Sequence, residues 1–381
     1  MNSPALNFVP PVDALYVGVM SGTSVDAIDA AVVRFSPRIE LAATHTLAYP
    51  ADLRATLLAL AVPGENEIDR LGQADVSVGR LFAQAVRELL AQAGLTARDI
   101  CAIGSHGQTI RHRPGLPVPF TLQIGDPNVI AAETGIPVVA DFRRKDMALG
   151  GQGAPLVPAF HEALFRQRGR LRVIVNLGGI ANLTVLPAGE SDPVLGFDTG
   201  PGNTLLDSWS RRTLGEPMDR DGVFAARGRV QPELLRALAA DSYFARRPPK
   251  STGPEYFSLG WLERHLAVSG PWTEADVQAT LVGLTTGTIA SAIGRITGGS
   301  RPDVFVCGGG ARNPGLMRAL REQLPDSAIE TTAALGLDPG WVEAMAFAWL
   351  ARQRWTDAAG NGPAVTGAVR PAVLGGIFSP A

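Results

Sequence analysis

The sequence predicts an α/β fold built from two duplicated halves, and three observations carry that expectation. The 381 residues exceed what one ordinary hydrophobic core holds, so two domains are expected. Hydrophobic residues make up 46% and charged residues only 18%, with 43 glycines and 29 prolines, which is the composition of well-buried domains joined by tight turns. One order of elements, namely hairpin, third strand, helix, strand, helix, strand, is legible twice along the chain.

The first half opens with Leu15-Tyr16-Val17-Gly18-Val19-Met20, a Ser/Gly/Thr turn and Ala27-Ile28-Asp29-Ala30-Ala31-Val32-Val33, a hairpin pattern. Residues 41–49 give a third strand. Helical periodicity runs over residues 51–60 and 68–93, where Gly94 supplies the left-handed cap. Residues 100–104 read as a short buried strand. Asp126-Pro127-Asn128 caps a helix that reaches Thr134 and stops at Gly135, and residues 136–141 form the next strand.

The order then begins again. Residues 171–176 and 180–186 form a hairpin about Gly178-Gly179, residues 194–197 a third strand and residues 201–212 a helix. A long helix over 276–296, a buried strand over 304–307, a helix over 314–323, a short strand at 328–330 and an amphipathic helix over 341–352 complete it. Residues 214–275, rich in Arg, Pro and Gly, read as an insertion. The duplication is one of arrangement, not of residues. It divides the chain into domains 1–155 and 156–381, with the last helix placed to pack back on the first, and a cleft between them is where a ligand is expected.

Composition also excludes several functions. A formal charge of -2 gives no broad attraction for nucleic acid or an acidic membrane surface. Cys101 and Cys307 are far apart and make no C-x-x-C, so neither a disulfide framework nor a cysteine zinc site is expected. No G-x-x-x-x-G-K-[ST] occurs, and the two lysines, Lys145 and Lys250, lie away in sequence from the Gly-rich turns, which rules out a Walker P-loop. The five histidines show no metal-ligand spacing. Residues 1–13 carry no basic residue and no apolar core of signal-peptide length, and no uninterrupted apolar run approaches the ~20 residues that cross a bilayer. A cytoplasmic protein, with residues 1–13 a disordered extension, is the expectation.

The chemistry concentrates in Gly-rich turns at strand ends. Gly196-Phe197-Asp198-Thr199-Gly200-Pro201-Gly202-Asn203 puts a carboxylate at the end of an apolar strand and opens a helix, where backbone N–H groups and the helix dipole favour an anion. Asp198 is placed to act as a general base. Taken alone the segment also fits an Asx-type turn before a helix, which is the more ordinary reading. Ser21-Gly22-Thr23-Ser24-Val25-Asp26, at the tip of the first hairpin, offers hydroxyls and amides to a phosphate, with Asp26 or Asp29 in reach of a hydrated metal. Gly308-Gly309-Gly310 permits close approach of a flat group such as adenosine. Gly150-Gly151-Gln152-Gly153 fits a linker. His106, on the turn after a buried strand, is as consistent with a structural imidazole as with a substrate contact.

These turns, in this order, resemble the sugar kinase, heat-shock chaperone and actin superfamily, whose duplicated actin-like (ribonuclease H-like) domains bind ATP between them. Within it the chain is similar to the family of 1,6-anhydro-N-acetylmuramic acid kinases. The likeness is carried by residues 19–26, Gly104-Ser105-His106-Gly107-Gln108-Thr109, residues 140–146, 150–158, 176–182 and 197–203, Gly308-Gly309-Gly310 with Asn313, and Glu343-Ala344-Met345-Ala346-Phe347. It implies a reaction that uses ATP and water to open the 1,6-anhydro ring and phosphorylate the 6-oxygen, in peptidoglycan recycling. It implies Asp198 as catalytic base, and ATP and phosphate contacts at Gly22, Thr23, Ser24, Asp26, Asp29, Gly200, Gly202, Asn203, Gly308, Gly309, Gly310 and Asn313. Mg2+ is implied as cofactor, without assigned ligands. Ser105, His106, Arg143 and Glu343 fall in sugar-side motifs, and Arg143 or Arg144 can pair with the lactyl carboxylate. A homodimer is implied too.

One departure is Ala27, where the family more often has glycine. If the backbone there were left-handed, alanine would cost roughly 1 kcal/mol. Two other functions stay open at this point: an ordinary sugar kinase in which Asp198 deprotonates a substrate hydroxyl, and a non-catalytic ATP-binding switch.

Overall fold

The computed structural model describes residues 11, 13–22, 24–253, 255–267 and 270–380. The expected disordered extension lies almost wholly outside them, and so does Thr23 of the first hairpin turn. The chain divides into two compact units, one of residues 1–156, 343–363 and 368–381, the other of residues 157–342 and 364–367. The sequence division had placed everything after residue 155 in the second domain, apart from the return of the last helix.

In the first unit the hairpin is β1 (Leu15–Ser21) and β2 (Ala27–Arg34), followed by β3 (Glu40–Ala48), α1 (Ala51–Leu60) and α2 (Glu67–Ala93). Next come β4 (Ile100–Ser105), a separate ribbon of β5 (Gln108–Arg113) and β6 (Phe120–Ile124), α3 (Pro127–Thr134), β7 (Val138–Ala140) and α4 (Phe142–Ala148). The ribbon and α4 have no counterpart in the sequence-based order.

The second unit holds α5 (Val157–Phe165), β8 (Arg172–Leu177), β9 (Ile180–Leu186), β10 (Leu195–Pro201) and α6 (Thr204–Leu214). The insertion contributes α7 (Pro232–Ala239), α8 (Ser242–Ala245) and α9 (Leu259–Leu266). Then follow α10 (Glu274–Thr297), β11 (Asp303–Cys307), α11 (Pro314–Gln323) and β12 (Ile329–Thr331). The chain returns to the first unit through α12 (Val342–Trp355), gives residues 364–367 of the short α13 (Pro363–Thr366) and its flank to the second, and ends in β13 (Gly376–Phe378).

The duplication is explicit in the sheets. The first unit orders its strands β13-β7-β4-β1-β2-β3 and the second β10-β9-β8-β11-β12. In both, the first three strands pair antiparallel, and the next two add in parallel beside the first strand. That is the actin-like arrangement, with β13 added antiparallel on β7. Each core follows from strand alternation. Val17, Val19, Ile28, Ala30 and Val32 meet the apolar stripe of α2 (Val78, Phe82, Val86, Leu89), while Val173, Val175, Leu183 and Val185 meet Ile289 and Ile293 of α10. α10 is long and apolar enough by length and composition to cross a membrane, yet 61% of its most apolar window is buried within the protein, as befits a core helix.

On the opposite face of the first sheet, α12 sits directly on two glycines. Gly18 and Gly104 are register partners on neighbouring parallel strands. A Cβ on Gly18 would lie 1.8 Å from the Ala344 carbonyl oxygen, and one on Gly104 would lie 2.0 Å from that of Phe347. Helix and sheet backbones are thus in contact, and Ala344, Ala348 and Ala351 are the small residues that allow it. Gly104→Ala is expected to destabilise the protein by about 3 kcal/mol, because a packed core does not yield to an inserted methyl. A denaturant midpoint equal to that of the parent protein would contradict this seating.

Candidate active site

Asp198 lies at the middle of β10, only 9% exposed. Register slips there: Asp198 opposes Asn182 and Gly200 opposes Ala181, so Thr199 is the extra residue of a bulge. Thr199 secures the bulge by donating its hydroxyl to the Ala181 carbonyl at 3.1 Å. The insertion then holds Asp198 on three sides. Its amide donates to the Lys250 carbonyl (3.1 Å), its carbonyl accepts from the Tyr243 hydroxyl (2.8 Å), and its Oδ2 accepts from the Thr252 amide (2.9 Å).

Lys250 itself is buried, at 6% exposure. Its Nζ donates to the Tyr243 carbonyl at 3.3 Å and lies 4.5 Å from the Tyr243 ring centroid and 5.9 Å from that of Phe197. Burial, above all, pushes its pKa down to about 8. Arg295 and Arg246 push the same way, and Asp198 opposes them. Sequence reasoning set this lysine aside for its distance along the chain, and only the aromatic residues around it hinted at a built environment.

The glycine turns of the second unit converge, but largely on one another. The amides of Gly202, Asn203 and Thr204 donate to the carbonyls of Gly179, Gly178 and Gly179 at 2.9, 2.9 and 3.0 Å. The expected phosphate cradle therefore finds those amides already engaged with the β8–β9 turn. A Cβ on Gly202 would lie 2.3 Å from the Gly178 oxygen, and one on Gly200 would lie 2.6 Å from the Phe244 ring, so both glycines are required by packing. The Asn203 side chain donates to the Leu177 carbonyl at 3.0 Å. In the Gly308 turn, Cβ atoms on Gly308 and Gly310 would strike Asn176 Oδ1 (2.3 Å) and Leu177 Cβ (2.7 Å), whereas one on Gly309 would meet nothing within 4 Å. Gly309 alone of the three opens onto free space. Asn313 caps α11, its Oδ1 accepting from the Gly315 and Leu316 amides.

In the first unit the hairpin tip is clamped from both sides. Arg54 donates to the carbonyls of Val25 and Ser24 and to Asp26 Oδ1, while Gln108 accepts from the Ser21 hydroxyl at 2.6 Å and donates to the Gly22 carbonyl. Asp29 accepts from Thr46. Among the described residues of this turn Val25 is left-handed, at φ 54°. A β-branched residue there costs about 1–2 kcal/mol, which the Arg54 contacts offset. Ala27 lies in β2, paired with Ala48, and is not among the positive-φ residues, so its methyl brings no strain.

Ser105 ends β4 and His106 follows it. The Ser105 hydroxyl is buried, with no hydrogen-bond partner among the described residues. His106 donates its amide to the Val19 carbonyl and packs its ring 4.6 Å from that of Phe347 on α12. Arg143, on α4, donates to His106 Nε2 at 2.8 Å and to the Gly153 carbonyl at 2.8 Å. An acceptor Nε2 assigns the ring proton to Nδ1. Burial lowers the His106 pKa well below the imidazole norm; the Arg143 charge adds to this, and the Ser21 and Gly107 backbone opposes it. Arg144 instead pairs with Asp141 and is largely exposed. The Gly150-Gly153 segment is no bare linker: it wraps Asp146, whose carboxylate accepts from the Gly153 amide and the Asn361 side chain. Glu343 stands half-buried in the first turn of α12. Among the described residues no group of three or more His, Cys, Asp or Glu gathers to hold a metal.

With this geometry in view, relatives are informative. A family model described as Anhydro-N-acetylmuramic acid kinase matches residues 14–380. The chain is 55% identical over 367 residues to the anhydro-N-acetylmuramic acid kinase of Shewanella sp. (strain ANA-3), spanning 96% of this chain and 99% of that protein. It is 54% identical over the same length and shares to the enzyme of Shewanella oneidensis. Among solved structures, an activator of the 2-hydroxyisocaproyl-CoA dehydratase from Clostridium difficile with bound ADPNP aligns at 15% identity and a TM-score of 0.46, covering 90% of this chain and 96% of that one.

His106 is expected to remain neutral from about pH 8 down to about pH 6, where a free imidazole is largely protonated. Nitrogen-15 NMR of the ring is to show one tautomer and no titration over that range; a midpoint near the free-imidazole value would refute the assignment.

Proposed function

The chain belongs to the anhydro-N-acetylmuramic acid kinase family, and we propose that Asp198 is the base of its reaction. With ATP and water, that reaction opens the ring of 1,6-anhydro-N-acetylmuramic acid and phosphorylates its 6-oxygen, giving N-acetylmuramic acid 6-phosphate and ADP in peptidoglycan recycling. Chemically, a water must lose a proton as it attacks the anomeric carbon, while the departing 6-oxygen takes the γ-phosphoryl group. A carboxylate fixed against rotation suits the first task. The observation that carries the reading is the threefold hold on Asp198, which ties amide, carbonyl and carboxylate to one inserted segment.

The remaining roles follow the chemistry of each place. Gly22 and Ser24 on the first hairpin face the phosphates, with Thr23 between them. Gly309 is the member of its turn with room beside it for the nucleotide, and Gly308, Gly310, Asn203 and Asn313 shape that region from within. Gly200 and Gly202 act in the same way, by letting the Asp198 turn close on its neighbours. Arg143 rather than Arg144 is the partner for the lactyl carboxylate: its imidazole neighbour is neutral and adds no positive charge beside the guanidinium, whereas Arg144 is paired with Asp141. Ser105 offers a hydroxyl to the sugar, and Glu343 helps orient it or the water.

Mg2+ takes one or two carboxylates and completes its shell with phosphate oxygens and water. Asp26, which accepts from Arg54, and Asp29, which accepts from Thr46, are the carboxylates near that turn that fit this demand. Bound there, the ion would offset phosphate charge. The reading also includes a cytoplasmic location and a homodimer.

Asp198→Asn is expected to lower kcat by roughly 10³-fold, the scale of a lost general base, while nucleotide binding persists. Intact turnover would remove Asp198 from the role. Incubation with ATP and either the anhydro sugar or the open N-acetylmuramic acid should phosphorylate the anhydro form; phosphate on the open sugar alone would indicate an ordinary sugar kinase.

A further inference from the structure

The insertion does more to Asp198 than fix its backbone. We propose that Lys250 is a positioning residue for Asp198, placing a buried positive charge beside the strand that carries it so that the carboxylate stays ionised and aimed; this rests on Asp198 being the base. The segment that supplies Lys250 is the one whose carbonyl accepts from the Asp198 amide, and two residues on, Thr252 donates to Asp198 Oδ2. The ammonium is located by Tyr243, through its carbonyl at 3.3 Å and its ring face at 4.5 Å. The same Tyr243 donates its hydroxyl to the Asp198 carbonyl. Lysine, tyrosine and aspartate are therefore held as one unit.

A purely structural side chain here would not be charged. Burial and the cations Arg295 on α10 and Arg246 after α8 all oppose the ammonium, and Asp198 on β10 is the group that favours it. A methionine would fill the same space beside Tyr243 and Phe197 without that cost. By reciprocity, whatever Asp198 does to keep Lys250 protonated, Lys250 does to keep Asp198 deprotonated.

The test is the pH profile of kcat/KM with ATP and the anhydro sugar. For Lys250→Met the acid limb is expected to move up by about one pH unit, since a neighbouring opposite charge depresses a carboxyl by that order. Lys250→Arg, which keeps the charge, is expected to hold the limb at its original place. Lys250→Gln, which keeps a donor for the Tyr243 carbonyl, is expected to shift it as methionine does, and serves if Lys250→Met does not fold. Limbs coincident with the parent enzyme in the neutral variants, however far kcat falls, overturn the proposal, as does an equal shift in Lys250→Arg. Asp198→Asn in the same assay separates the two assignments. Unimpaired turnover in that variant brings down the base itself, whereas coincident limbs in an enzyme that Asp198→Asn inactivates bring down only Lys250.

Discussion

Backbone contact between α12 and the paired glycines Gly18 and Gly104 is the constraint on which the first unit depends. A side chain at either position would drive the helix off the sheet by the width of a methyl or more. With the helix seated, Phe347 reaches the His106 ring, and burial of that ring keeps it neutral beside Arg143. Glu343 takes its place from the same seating. Two glycines without functional groups thus seat the helix that keeps the His106 ring buried and neutral and that carries Glu343.

The second unit applies the same physical device to a different end. Glycines at the ends of β10 and β11 allow close packing against the end of β8 and its turn into β9, and the Gly202, Asn203 and Thr204 amides are spent on that turn rather than left for a ligand. A Gly-rich turn at a strand end is read as an anion cradle because amides there are usually orphaned. Where neighbouring carbonyls take them, the glycines instead provide tolerance for close packing. Chemistry then falls to few side chains, and Asp198 is held by the insertion, whose aromatic residues Tyr243, Phe257 and Trp261 belong to a core of their own with α6 and α10.

The duplicated order was legible because strand alternation, helical stripes and caps such as Asp126 and Gly94 are local signals. Other elements carried no such signal. β5 reads Gln-Thr-Ile-Arg-His-Arg, too polar to declare a strand, and β13 spans three residues. Asp198 stood out from its turn, and Arg143 and His106 from theirs, through motif likeness. Lys250 did not, because its importance comes from a fold-back that joins distant stretches of chain. The packing role of the glycines was equally hidden: a sequence shows that a residue is small, not which backbone fills the space it leaves.

The chain's path has a consequence for how the protein is made. The first unit takes residues 1–156 but is completed by residues 343–363 and 368–381. Until those emerge, the groove over Gly18 and Gly104 has no helix and the β7 edge has no β13. A nascent chain therefore carries an open sheet face and an unpaired edge through most of translation, the very features that invite association. The second unit, nearly contiguous in sequence, can close first, so the unit whose strands come earlier in the sequence is the one that finishes folding last.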